Sequence, residues 1–183
     1  MCPHQRNHEA TSRNQMKPVI QIAAPESVAE HSYRTTVIGY ILAHLEQADV
    51  EKTVLMCLFH DVHEARLTDL HRLARKYVDW ETAETKALSH VLKRLPGAIS
   101  DHVGGVLAEF NRVDTLEARI AKDADRLEFI FQAVEYQARG HGDLGTWIEQ
   151  NRHDLRTASA QKMAQECLEK DLHCWWNELD AAE

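Results

Sequence analysis

The chain has 183 residues, of which 44% are hydrophobic and 27% charged, and a formal net charge of −8. That size and mixture fit one soluble globular domain with a sizeable core, and the acidic balance speaks against a duplex nucleic-acid partner, whose phosphates need a basic face. No apolar run approaches a membrane span, Met1-Cys2-Pro3 opens no signal core, and Cys2, Cys57, Cys167 and Cys174 form no close pair, so a reducing cytoplasm is the expected compartment.

Glycine and proline are scarce, at 7 and 4, which favours helices over a turn-rich β architecture. Residues 1–15 are polar and expected to be disordered, and residues 16–183 to form a single domain. Ser27-Val28-Ala29-Glu30 has capping-box spacing and opens a helix to about Leu45, with an apolar stripe of Val37, Ile38, Ile41, Leu42 and Leu45. A second helix is predicted over about Val50–Glu64; its centre is apolar nearly all round, as in a central buried helix. Thr68-Asp69-Leu70 offers a cap for a short helix through Lys76. Further helices are predicted over about Glu81–Leu95, stopped by Pro96-Gly97, over about Ala98–Phe110, and over about Thr115–Arg139, ended by Gly140. Gly142 and Gly145 mark a turn, and a last helix is predicted over about Arg156–Leu179, with Trp175-Trp176 as core or dimer packing. There is no internal repeat or linker, so the chain reads as one all-α domain, a helical bundle.

His60-Asp61 closes the apolar run Val54–Phe59, where an imidazole and a carboxylate are costly unless a metal or a reaction occupies them. Adjacent helical residues point about 100° apart, so other helices must complete any shared coordination shell. His31 and Asp125 are the candidates. Each of the four alone would pass as a core histidine or a surface carboxylate. Together they supply two neutral nitrogens and two balancing charges, a set suited to one divalent transition ion such as Mn, Co, Ni, Fe or Zn. Glu64 follows Asp61 by three residues and His60 by four, which on a helix puts it on their face, beside the ion and fit to orient or deprotonate a water. Asp69 is equally a helix cap or a second catalytic carboxylate. Arg72, Arg75, Lys76 and Lys122 are candidates for neutralising phosphate, with Lys122 favoured by its position beside Asp125.

His60-Asp61-Val62-His63-Glu64-Ala65-Arg66-Leu67-Thr68-Asp69-Leu70 resembles the His-Asp-x-x-Glu-x-x-x-Gly-Asp-Leu/Ile segment of the HD-domain 5′-deoxyribonucleotidases. Pro25–Ser32 is similar to that branch's first-histidine motif, and Ala121-Lys122-Asp123-Ala124-Asp125 to its last-aspartate motif. The resemblance implies an HD-domain helical bundle around a metal site, metal-dependent release of phosphate from a nucleoside monophosphate or similar small phosphomonoester, and a homodimer. It assigns His31, His60, Asp61 and Asp125 to the metal and Glu64 and Asp69 to catalysis. Three departures are visible: Thr68 stands at the usual Gly, Leu70–Tyr77 replaces a Pro-rich segment, and Met16–Val19 lacks a Trp-containing pair that helps hold the nucleotide. They predict a preference different from a strict deoxynucleoside monophosphate. Two other readings stay open. One is nucleoside triphosphate or phosphodiester hydrolysis, for which His90 or His102 would support a second metal. The other is a nucleotide-sensing module without turnover.

Overall fold

The structure, a computed structural model, describes Ile22 and residues 25–170, except the Arg72 side chain. The expectations for residues 1–15, for Met16–Val19 and for Trp175-Trp176 lie outside the described residues, as does the predicted helix beyond 170.

Helix α1 (Val28–Leu45) starts where the sequence places it: Ser27 Oγ accepts from Glu30 N, and the Glu30 carboxylate accepts from Ser27 N at 2.6 Å. Its inner face differs from the predicted stripe. Ile38 and Leu42 are buried, but Val37, Ile41 and Leu45 are 42%, 43% and 58% exposed. The core side instead carries Gly39 and Ala43, because α2 (Val50–Phe59) approaches too closely for larger groups: a Cβ on Gly39 would collide with Cys57 Sγ.

Helix α2 is shorter and less central than predicted. It ends at Phe59, residues 60–63 turn, and a single helical turn, α3 (Glu64–Leu67), follows. It buries only Thr53, Met56 and Cys57, whereas Leu58 faces outward. The central element is α7 (Leu116–Ala138), capped by Thr115 and ended at Gly140, whose φ of 82° suits a residue without Cβ. It packs against α1, α2, α6 (Gly97–Arg112), α8 (Gly145–His153) and α9 (Ala158–Glu169). Ala118, Ala121, Ala124 and Ala133 admit these neighbours, while Ile120, Leu127 and Ile130 fill the spaces between them.

The remaining elements border the site. Short α4 (Arg72–Arg75) is capped by the His71 side chain, which accepts from Ala74 N, and not by Asp69. Helix α5 (Trp80–Leu92) starts at the Asp79 cap and packs on α3 and α6. The predicted turn after Gly140 holds, but Gly145 opens α8, a helix too polar to show in the apolar pattern. Asp123 of α7 fastens the start of α9, accepting from Arg156 N, Thr157 N and Thr157 Oγ at 2.7–3.0 Å. Among the described residues no helix is long and apolar enough to cross a membrane.

Candidate metal centre

His31, His60 and Asp125 bring potential ligand atoms within 4.8 Å of one another, and Asp61 adjoins the two imidazoles while grouping also with His63 and Glu64. His31 lies one turn into α1, His60 and Asp61 follow the end of α2, and Asp125 sits in the first half of α7. The two imidazole Nε2 atoms are 3.2 Å apart. Asp125 Oδ1 lies 3.2 Å from His31 Nε2 and 3.7 Å from His60 Nε2; Asp61 Oδ2 lies 3.1 Å from His60 Nε2 and 3.6 Å from His31 Nε2. Ligands about 2.0–2.2 Å from one ion, at right or tetrahedral angles to one another, are about 3–3.5 Å apart.

Hydrogen bonding on the far side of each ring fits the same conclusion. His60 Nδ1 is 2.8 Å from the Cys57 carbonyl, which can only accept, so Nδ1 carries the hydrogen. His31 Nδ1 is 2.6 Å from the Glu128 carboxylate, which calls for the same tautomer. Both Nε2 atoms then face into the cluster 3.2 Å apart, where a cation or a proton can lie between them, and Thr35 Oγ1 is 3.4 Å from His31 Nε2. Charge points the same way. Burial disfavours a charged His60, yet Asp61 and Asp125 outweigh it and lift the imidazole to about 10. Burial likewise works against the Asp125 carboxylate, but the two histidines hold it well below the usual range. The donor set therefore fits a divalent cation.

Glu64 is buried beside this cluster, though not by the route its spacing suggests. The chain leaves helical geometry at residues 60–63, and Glu64 is brought back by the turn, its N–H donating to the Asp61 carbonyl at 2.9 Å. Potential ligand atoms of Asp61, His63 and Glu64 lie within 4.8 Å of one another. Asp69 is fully buried. Arg75 Nη2 reaches both carboxylates, 3.6 Å from Glu64 and 3.7 Å from Asp69, while its guanidinium lies 4.2 Å from the Trp80 ring centroid and its Nε donates to the Leu70 carbonyl. Lys122 stands over the Phe110 ring at 3.6 Å; burial lowers its pKa, and Asp125 and Asp61 partly restore it.

The predicted basic residues separate. Lys122 faces the centre, Lys76 is exposed at the end of α4, and the Arg72 side chain is outside what the structure describes. His90 and His102 are exposed on α5 and α6, and neither joins a ligand cluster among the described residues, so the second-metal reading finds no site there. His63, Arg75 and Glu128 occupy the site more closely than the motif spacing indicated. Glu128 had a readable signal: three residues after Asp125 on a helix, it shares that residue's face.

The sequence profile of the family described as HD domain matches residues 11–167. A 5'-deoxynucleotidase HDDC2 from Dictyostelium discoideum is 30% identical over 129 residues, 66% of this chain and 67% of that protein. Its namesake from Xenopus laevis is 28% identical over 120 residues, 64% of this chain and 58% of that protein. The match thus spans about two thirds or less of these relatives' lengths. The solved structure of a conserved hypothetical protein from Pyrococcus furiosus is 31% identical with a TM-score of 0.75, covering 91% of this chain and 96% of that one.

Proposed function

Because this chain belongs to the HD domain family, we propose that it is a metal-dependent phosphohydrolase that releases phosphate from a nucleoside monophosphate. The observation that carries the reading is the cluster of His31, His60 and Asp125, with Asp61 against its two imidazoles and the buried Glu64 beside Asp61. The deoxynucleotidase names of its relatives support the substrate class. A bound divalent ion would supply Lewis acidity toward a phosphate oxygen and a more acidic water.

The chain's own groups do the rest. Glu64 takes a proton from the water that attacks phosphorus. As the new P–O bond forms and the ester P–O bond breaks, the protonated Glu64 hands that proton on to the departing nucleoside oxygen, so that the nucleoside leaves as an alcohol and the carboxylate is regenerated. Lys122 and Arg75 offer positive charge to the phosphate oxygens as charge accumulates on them. Asp69 acts through Arg75, holding its guanidinium between two carboxylates. The native ion belongs to the series Mn, Co, Ni, Fe and Zn, which the mixed nitrogen and oxygen set accepts. We also place the protein in the cytoplasm, consistent with free thiols at Cys57 and Cys167, and assign it a homodimer, for which Tyr33, Val37, Tyr40 and Ile41 offer an exposed apolar face on α1.

The test is phosphate release from matched ribo- and deoxynucleoside mono- and triphosphates, each with Mn²⁺, Co²⁺, Mg²⁺, Ni²⁺ and Zn²⁺. Monophosphate hydrolysis with at least one transition ion is expected. Metal-loaded protein that binds nucleotides but releases no phosphate would replace this reading with a sensing module, and turnover confined to triphosphates would move the substrate class.

A further inference from the structure

Resting on the proposed metal centre, we infer that Glu128 is a positioning residue that sets the tautomer of His31 and, through it, the affinity for the ion. Glu128 and His31 are both fully buried, and the Glu128 Oε2 to His31 Nδ1 distance of 2.6 Å is that of a charge-assisted hydrogen bond. A carboxylate there can only accept, so it holds the hydrogen on Nδ1 and turns the Nε2 lone pair toward Asp125 and His60.

The arrangement is economical in sequence. Helix α7 presents Asp125 to the ion's position and, less than one turn later, presents Glu128 to the back of the ring that α1 contributes. One helix thus supplies a ligand and also fixes the ligand of its neighbour. Glu128 is itself held: Arg34, from the turn of α1 after His31, places Nε 3.3 Å from Glu128 Oε1, and its Nη atoms make a two-pronged pair with Glu135, at 3.0 and 3.1 Å. Glu26 Oε1 also lies 3.7 Å from His31 Nδ1. The grouping of Glu26, His31 and Glu128 has the composition of a second metal site. However, its imidazole nitrogen is Nδ1, which already carries the hydrogen shared with Glu128. It is therefore a support for the first centre and not a second one.

The experiment measures Co²⁺ and Mn²⁺ dissociation constants by chelator competition, the visible spectrum of the Co²⁺-loaded protein, and the melting temperature of the metal-free protein. It compares wild type, Glu128→Ala, Glu128→Gln and His60→Ala. Glu128→Ala should weaken metal binding about 10- to 100-fold and alter the Co²⁺ spectrum. Glu128→Gln keeps an acceptor oxygen but loses the charge, and should weaken binding by less, about three- to tenfold. If Glu128→Ala does not fold, Glu128→Gln decides. A metal affinity within about twofold of wild type, with an unchanged Co²⁺ spectrum, in whichever of these variants folds, overturns the inference even if the melting temperature falls. Wild type that binds no ion, or His60→Ala that binds it as tightly as wild type, would instead sink the metal centre itself.

Discussion

The two halves of the site are built differently. The half proposed to hold the metal draws on three helices: His31 lies on α1, Asp125 on α7, and His60 and Asp61 in the turn that directly follows α2, with the far ring nitrogens of His31 and His60 each hydrogen-bonded from behind. The other half, residues 64–80, consists of two one-turn helices and their connections. It includes Tyr77, 88% exposed, and an arginine suspended between two buried carboxylates and an indole ring. Under the proposed function the first half would hold the ion, which tolerates little error in ligand position, and its residues lie on or directly beside packed helices. The second half would face the substrate, where short elements leave room for variation.

If the metal half is a rigid unit, substitutions there should be all-or-none, and the aspartates of α7 offer a controlled pair. Asp125→Ala should lose the ion and bring activity below detection. That is a larger loss than the roughly 10²–10⁴-fold a general acid–base group supplies. Asp123→Ala, two residues away on the same helix, removes the carboxylate that fastens residues 156–157 and should cost about 1–3 kcal/mol of stability. It should leave metal stoichiometry unchanged. Metal analysis and thermal melts on both variants check this; a normal metal content in Asp125→Ala would break the division of labour.

Glu64 tests the boundary between the halves. Glu64→Ala should retain the ion and lose about 10²–10⁴-fold in kcat. Loss of the ion together with activity would move Glu64 into the coordinating set and erase the boundary. Further out, Arg75→Ala should lower kcat/KM for a monophosphate by about ten- to a hundredfold, the worth of a hydrogen bond to a charged group. Metal affinity should not change. Steady-state kinetics at saturating metal separate the two, and an unchanged kcat/KM would make Arg75 only a counter-charge for Glu64 and Asp69.

The same division explains what could be read from the sequence. The capping box of α1, the ends of α7 and the four candidate ligands were legible because each depends on local chemistry or on residue types costly to bury elsewhere. The predicted continuation of α2 through Glu64 failed because apolar periodicity does not register a turn whose backbone groups are satisfied locally, as Val62 N to Phe59 O and Glu64 N to Asp61 O are. The apolar stripe of α1 misled for a related reason. Hydrophobicity does not reveal that α2 comes so close at Cys57 that glycine must take the core position. Glu128 was not singled out, and Arg75 was named only as one of four basic candidates, because an acidic or basic side chain on a helix is usually solvated, and only the fold shows which are enclosed.

The smallest expected effect comes from Thr68, the residue between the two carboxylates where related motifs carry glycine. Its backbone lies at φ 60° and ψ 163°, a region that is essentially glycine's alone and least suited to a β-branched side chain. Thr68→Gly should release about 1–3 kcal/mol of strain. It should give back about 0.4–1 kcal/mol through the greater freedom of the unfolded chain. The balance favours the variant, and its melting temperature should rise. Since Glu64 is held by the turn at Asp61 and Asp69 is paired through Arg75, neither carboxylate depends on the Thr68 side chain for its position, and kcat should stay within a few-fold of wild type. A stabilised variant with intact turnover would make the strain a cost carried only by this segment. A stabilised variant whose turnover collapses would mean that the strained backbone at Thr68 sets the separation of Glu64 and Asp69, and the substrate-facing half would then be as exacting as the metal half.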